Sequence, residues 1–240
     1  MKRKTFILLF LFVPLLVNAH EEKEEKSSPF SVSLELTSKY MWRGIEYGNS
    51  PVIFPSVTFA AHGISAYAMG GYATNGSHQE VDLGVGYTYK SLFVGIADYY
   101  YPSAVGEKDG YFKLSSRKTG HYIEAYTTFA PEKIPIWITA STYVFGADKN
   151  LKGKNAYSSY AELGYHYDFN KDNVLNLVLG VSLNKSFYTD YEKGFNVVNL
   201  ALKYSTIFNF GRFHLPVSAS YIINPYKEKS FVTLSVFLNS

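Results

Sequence analysis

From Phe30 onward, apolar and polar residues alternate with a period of 2, and no stretch carries the 3.6-residue period of an amphipathic helix. Successive side chains of a β-strand point to opposite faces, so each segment reads as a strand with two different faces. In 80–89, Val81, Leu83, Val85, Tyr87 and Tyr89 oppose Glu80, Asp82, Gly84, Gly86 and Thr88. In 174–184, Leu175, Leu177, Leu179, Val181 and Leu183 oppose Asn176, Gly180, Ser182 and Asn184. The same reading predicts twelve strands, at 31–43, 51–60, 64–73, 80–89, 92–100, 120–129, 135–145, 156–169, 174–184, 195–205, 213–223 and 230–239. They exceed the usual globular strand of about 5 or 6 residues and suit the roughly 9–11 residues a tilted strand needs to cross a bilayer. Mid-strand charges fall on the polar face: Glu35, Lys39, Arg43, Glu80, Asp82, Glu124, Glu162, Asp168 and Lys203. Asp98 is out of phase, and a bulge or a position beyond the bilayer would accommodate it.

A soluble sandwich or ligand-binding barrel turns the apolar face inward, whereas a transmembrane barrel turns it toward lipid. Three features favour the second. Large rings gather near strand ends on the apolar face: Tyr40, Trp42, Tyr87, Tyr89, Tyr165, Tyr167, Phe169, Tyr204 and Tyr221, the pattern of aromatic girdles. Connections after even-numbered strands are short, whereas those after odd-numbered strands tend to be longer, above all 101–119, 146–155 and 185–194. The strand number is even. The expected fold is therefore all-β, a transmembrane antiparallel up-and-down barrel of about twelve strands, with short periplasmic turns and longer extracellular loops.

The N-terminus changes the picture in two ways. Lys2, Arg3 and Lys4 precede an apolar run from Phe6 to Val17 and the small-residue pattern Val17-Asn18-Ala19, which reads as a cleaved signal peptide over 1–19. A charged linker, 20–30, follows, and the barrel is expected over 31–240. The chain has 23 basic and 20 acidic residues; removing the three cations of the signal leaves 20 of each, and no case for nucleic-acid binding. The absence of Cys excludes a disulfide staple, a thiolate metal site and a lipoprotein anchor.

Ser38-x-Tyr40-x-x-Arg43-Gly44-Ile45, followed by Pro51, resembles the first-strand signature S-x-Y-x-x-R-G-[IV]…P of the TorF-like porins, a family of Gram-negative outer-membrane barrels. The form SKYMWRG…GNSP is similar to Bacteroidetes-type versions. The likeness covers about fourteen residues by the spacing of the motif. Phe54-Pro55 stands where the family has a Gln, and the chain ends FLNS without the terminal aromatic that the barrel-assembly machinery reads, although Phe237 and Leu238 lie close by. The resemblance implies an outer-membrane location and a porin-like role, without naming a solute.

The expected pore lining is Glu35, Lys39, Arg43, Glu80, Asp82, Glu124, Glu162, His166, Asp168 and Lys203. Arg43 and Lys39 either form a selectivity constriction or brace the barrel through Glu80, Glu124 or Glu162. Trp137, Tyr143, Phe145, Tyr160 and Phe54 either make a stacking track or fill the interior. His121, His166 and His214 lie on separate strands and His62 in a turn, with no metal-ligand spacing, so neither metal nor cofactor is expected. Ser158 or Ser218 could in principle meet His166 or His214 as the nucleophile and base of a lipid-modifying barrel enzyme, yet nothing in the spacing joins nucleophile to base. Asn75-Gly76 is hairpin-turn chemistry. Loops carrying Lys108, Lys113, Arg117, Lys118, Lys149, Lys152 and Lys154 suggest lipopolysaccharide phosphates as partners. The expected function is passive diffusion of small hydrophilic solutes; the alternative is a non-conducting adhesin or envelope-structural barrel. In either case Tyr40 and Trp42 are expected to face lipid and Arg43 the lumen.

Overall fold

The computed structural model describes residues 28–102, 110–115 and 119–239. The expected signal peptide and most of the charged linker lie outside the described residues. The strands are β1 (Phe30–Thr37), β2 (Tyr40–Trp42), β3 (Ile45–Tyr47), β4 (Val52–Ala61), β5 (Ile64–Ala73), β6 (Gln79–Tyr89) and β7 (Leu92–Tyr100). They continue as β8 (His121–Phe129), β9 (Ile136–Gly146), β10 (Ser159–Asn170), β11 (Asn173–Ser182), β12 (Asn196–Phe210), β13 (Phe213–Asn224) and β14 (Lys229–Asn239). All but β2 and β3 form one closed antiparallel barrel of twelve strands, in which β1 pairs with both β14 and β4. Closure satisfies every ladder and leaves no strand edge, the condition for a sheet to cross hydrocarbon.

The outer wall is apolar. Leu83, Val85, Ile138, Leu163, Leu177, Leu179, Leu202 and Leu234 all stand exposed on it. An apolar belt running round a whole barrel is stable only against lipid, so the interior of this fold is the lumen rather than a hydrophobic core. Tyr87, Tyr89, Tyr165, Tyr167 and Tyr204 are exposed on this wall toward the end of the short turns, and Tyr221 toward the opposite end. One short turn, His62-Gly63, has positive φ at both positions (52° and 81°), the geometry of a two-residue hairpin.

The interior is divided. Across β5 to β10, inward glycines leave room for rings from neighbouring strands: a Cβ at Gly84 would lie 2.1 Å from Tyr67, one at Gly86 2.1 Å from Phe93, and one at Gly164 1.9 Å from Trp137. Large rings therefore fill that side of the lumen. The walls of β11 to β14, with β1 and β4, carry mainly small hydroxyls and amides inward, and the open space lies against them.

Three local departures from the expected pattern have physical causes. Strand 1 ends at Thr37, not Arg43: the Ser38 N–H donates to the Leu234 carbonyl at 2.8 Å, and the chain then leaves the wall. A bulge sets Ile123 opposite Phe145 but Glu124 opposite Tyr143, so Phe145 turns outward rather than inward. A second bulge, where Gly180 faces Asn199 but Val181 faces Val197, buries Val198 inside the barrel.

Candidate functional site: a hairpin plug in the lumen

Residues 40–47 form a separate two-stranded ribbon, with Tyr40 paired to Tyr47 and Trp42 to Ile45. Its turn is Arg43-Gly44, with φ of 49° and 79°, both in the left-handed region that a two-residue hairpin of this hand requires. The ribbon folds into the barrel. Tyr40 is 3% exposed and Trp42 8%, in one cluster with Phe54, Met69, Phe93 and Tyr99. The expectation that Tyr40 and Trp42 belong to a lipid-facing girdle is thus corrected. Alternation continues past Ser38, but the backbone turns inward there, so the same period describes a ribbon inside the wall.

Arg43 reaches from the ribbon's tip to β8. Its Nη1 and Nη2 donate to the two oxygens of Glu124 at 2.5 and 3.1 Å, a fork-to-fork pair in which both side chains are buried. Nη1 also donates to the Tyr188 hydroxyl at 2.6 Å, and the Tyr99 hydroxyl donates to Glu124 at 3.0 Å. The guanidinium lies 4.6 Å from both the Trp42 and the Tyr160 ring centroids. Burial raises the pKa of the Tyr188 phenol, which therefore stays protonated and serves Arg43 as a neutral acceptor. Tyr188 itself comes from a short 3₁₀ turn, Phe187–Thr189, in the loop between β11 and β12, which packs inward against Tyr143 and Tyr160.

Gly44 seats the tip against the opposite wall. A Cβ there would lie 2.0 Å from the Val198 carbonyl oxygen, and the Gly44 carbonyl accepts from Asn224 Nδ2 at 3.1 Å. Lys39 pairs with Glu46 across the ribbon, rather than with Glu80, Glu124 or Glu162 on the wall.

The remaining expected lining residues divide into groups. Glu80 accepts from the Tyr40 hydroxyl at 3.5 Å and has His78 Nε2 3.1 Å away, with Asp82 buried beside it on β6. Glu162 accepts from Trp137 Nε1 at 3.1 Å and from the Tyr160 hydroxyl at 3.0 Å. Glu35 and Lys203 face one another electrostatically, and Lys203 Nζ stands 5.6 Å from the Phe237 ring centroid. His166 and Asp168 sit nearer the short-turn end of β10, away from the plug. His121 pairs with Asp98 at 2.8 Å on the outer wall, so Asp98 is accommodated by a partner at the end of its strand.

No protein-family model matches this sequence, and no curated protein does. Among solved structures the chain is similar to a KdgM porin, with 10% identity over 88% of this chain and 96% of that one, and a TM-score of 0.49. It is also similar to the translocator domain of the autotransporter NalP from Neisseria meningitidis (10% identity, 90% and 89% covered, TM-score 0.43). A third is OccK8 from Pseudomonas aeruginosa (10% identity, 88% and 67% covered, TM-score 0.41). These likenesses are of overall barrel shape.

Below the plug lies a cavity of about 230 Å³, bounded above by Trp42, Arg43 and Gly44 and at its sides by β1, β4, β5 and β9 to β14. The arrangement can therefore do one thing that the charges alone do not reveal: it fills the long-loop end of the lumen with a two-stranded element that is separate from the wall and latched to it by the buried Arg43–Glu124 pair. Tyr188, Tyr99 and Asn224, which complete that latch, carried no signal in the sequence. Each is a single polar group on a loop or strand far along the chain from Arg43, and only closure of the barrel brings them together.

Proposed function

We propose that this protein is an outer-membrane, porin-like channel of the TorF-like kind, whose lumen passes small hydrophilic solutes when the 40–47 ribbon leaves its seat. The observation that carries this reading is the ribbon itself. It hangs from the wall by two short connections, takes no part in the barrel ladders, and is latched to Glu124 through Arg43. A purely structural barrel has no need of a detached element in its lumen, since rings on inward strands fill space without one. In this reading the expected lining residues Glu35, Glu162 and Lys203 meet the solute, whereas Arg43, Lys39, Glu80, Asp82 and Glu124 hold the closed state. The basic loop at Lys149, Lys152 and Lys154 rests against lipopolysaccharide phosphates, and the chain is inserted by the barrel-assembly machinery after removal of its signal peptide.

Full burial of Glu124 and Tyr160 favours one competing reading, a barrel that never opens and serves the envelope structurally or as an adhesin. Conductance in planar bilayers separates the two. Thr37 and Val52 are already cross-strand partners, so replacing residues 38–51 by Asn-Gly joins β1 to β4 through a two-residue turn that their register permits. The expected result is rare, brief openings for the native protein and steady conductance for the shortened one. Silence from both at all voltages would sink the channel reading.

A further inference from the structure

We infer that the cavity beneath the plug is a binding site for a neutral, hydroxyl-rich solute of sugar or polyol type; the inference deepens the channel reading and rests on it. Three observations point to this chemistry. First, the charged groups around the cavity are already engaged within the protein. Arg43 is paired with Glu124, Lys39 with Glu46, and Glu35 with the field of Lys203, while Glu162 is held by Trp137 and Tyr160. Each charged group thus already has an ionic or hydrogen-bonding partner within the protein, and a charged solute would be desolvated with no group left over to receive it.

Second, the polar groups that remain are of the kind that exchange hydrogen bonds with hydroxyls. Asn176 and Asn199, 2% and 7% exposed, keep side-chain oxygens without a partner among the described residues, and so does the Ser205 hydroxyl. All three residues line the cavity, together with Ser220, Thr233 and Ser235 from the next two strands. An amide oxygen is purely an acceptor and a hydroxyl is both donor and acceptor. A ligand that satisfies them must bring several donors in a small volume, as a polyol does. Third, aromatic faces border the same space: Trp42 above, Phe54 on β4 and Phe237 on β14. Sugars present apolar C–H faces as well as hydroxyls, so a site with acceptors on one side and rings on another suits them. Few convergent polar groups in a mostly pre-formed concavity are what small-ligand sites look like generally.

The chain offers its own probe. It has two tryptophans, Trp42 in the cavity roof and Trp137 against Glu162, so intrinsic fluorescence of the refolded protein in detergent reports occupancy directly. Titration with glucose, sucrose and mannitol is expected to give a saturable change, lost when Trp42 is replaced by Phe. Glucuronate, glucosamine and glycine, as anionic, cationic and zwitterionic probes, are expected to bind at least tenfold more weakly. Asn176→Leu with Asn199→Leu should weaken the neutral probes at least tenfold, in protein that still shows the heat-dependent gel shift of a folded barrel. Ser220→Leu, which occupies the cavity from another strand, should do the same if the double variant does not fold. No saturable response to any neutral probe, or tighter binding of a charged one, overturns the inference. Binding is read without current flow, so it succeeds or fails separately from conductance: a site in a barrel that never opens would still titrate, and an open channel without the site would not.

Discussion

At the scale of single residues, Arg43 and Gly44 do opposite things from the same turn. Positive φ at a non-glycine residue costs on the order of 1–3 kcal/mol and persists only where the surroundings enforce it. Here a bidentate carboxylate, a tyrosine hydroxyl and two ring faces enforce it. Removing one member of a buried ion pair leaves the other charge unpaired, which costs about 3–5 kcal/mol. Arg43→Ala should therefore lower barrel stability by roughly that amount, read as the urea midpoint of the heat-modifiable band, and adding Glu124→Gln should recover much of the loss. If the double variant is no more stable than Arg43→Ala, the cost is not that of an unpaired carboxylate. Gly44→Ala acts differently. With 2.0 Å to the Val198 carbonyl and a φ of +79°, the added methyl prevents the tip from seating while the wall stays intact. Its bilayer recordings should show the openings of the 38–51 replacement; native-like closure would mean that the tip has another seat.

The elements show which part of the structure is separable. The ladders from β4 to β14, and from β14 through β1 back to β4, are continuous without β2 and β3. The chain with 38–51 replaced should accordingly retain its β-rich circular dichroism and gel shift. It should be less stable than native, because Glu124 loses Arg43, and Glu124→Gln in the shortened chain should raise its urea midpoint; no gain would place the ribbon's contribution in packing instead. Strand boundaries were largely legible at this scale: 64–73 and 92–100 coincide with β5 and β7, and most others fall within a few residues. Each strand announces itself by its own alternation. Bulges do not, because one extra residue at Val144 or Val198 reverses a face without altering composition, and so the strict period points Phe145 inward although it stands on the outer wall.

For the whole molecule, the inversion of inside and outside is the governing fact. Leu177 and Val178 are adjacent on β11, one exposed on the belt and the other lining the cavity. An arginine near the bilayer midplane on the lipid face costs about 2–4 kcal/mol. Leu177→Arg should thus destabilise refolding into lipid vesicles by that order, and Val178→Arg by clearly less, since a lumenal cation keeps access to water. Equal penalties would mean that the alternation had been assigned to the wrong faces.

Legible in the chain alone were the all-β barrel and its roughly twelve strands, because strand period, segment length and loop asymmetry are local properties that each segment carries by itself. The same period placed Glu124 and Arg43 on the lumen side but left open whether the arginine braced or selected, and it set Tyr40 and Trp42 toward lipid. Only the tertiary structure decided that residues 40–47 leave the wall and that Arg43 meets Glu124, Tyr188 and Tyr160 from three distant parts of the chain. The reason is geometric. A period of 2 fixes that neighbouring side chains oppose one another, whereas the direction in which a ribbon folds depends on the space inside a closed barrel, which exists only once its first and last strands have paired.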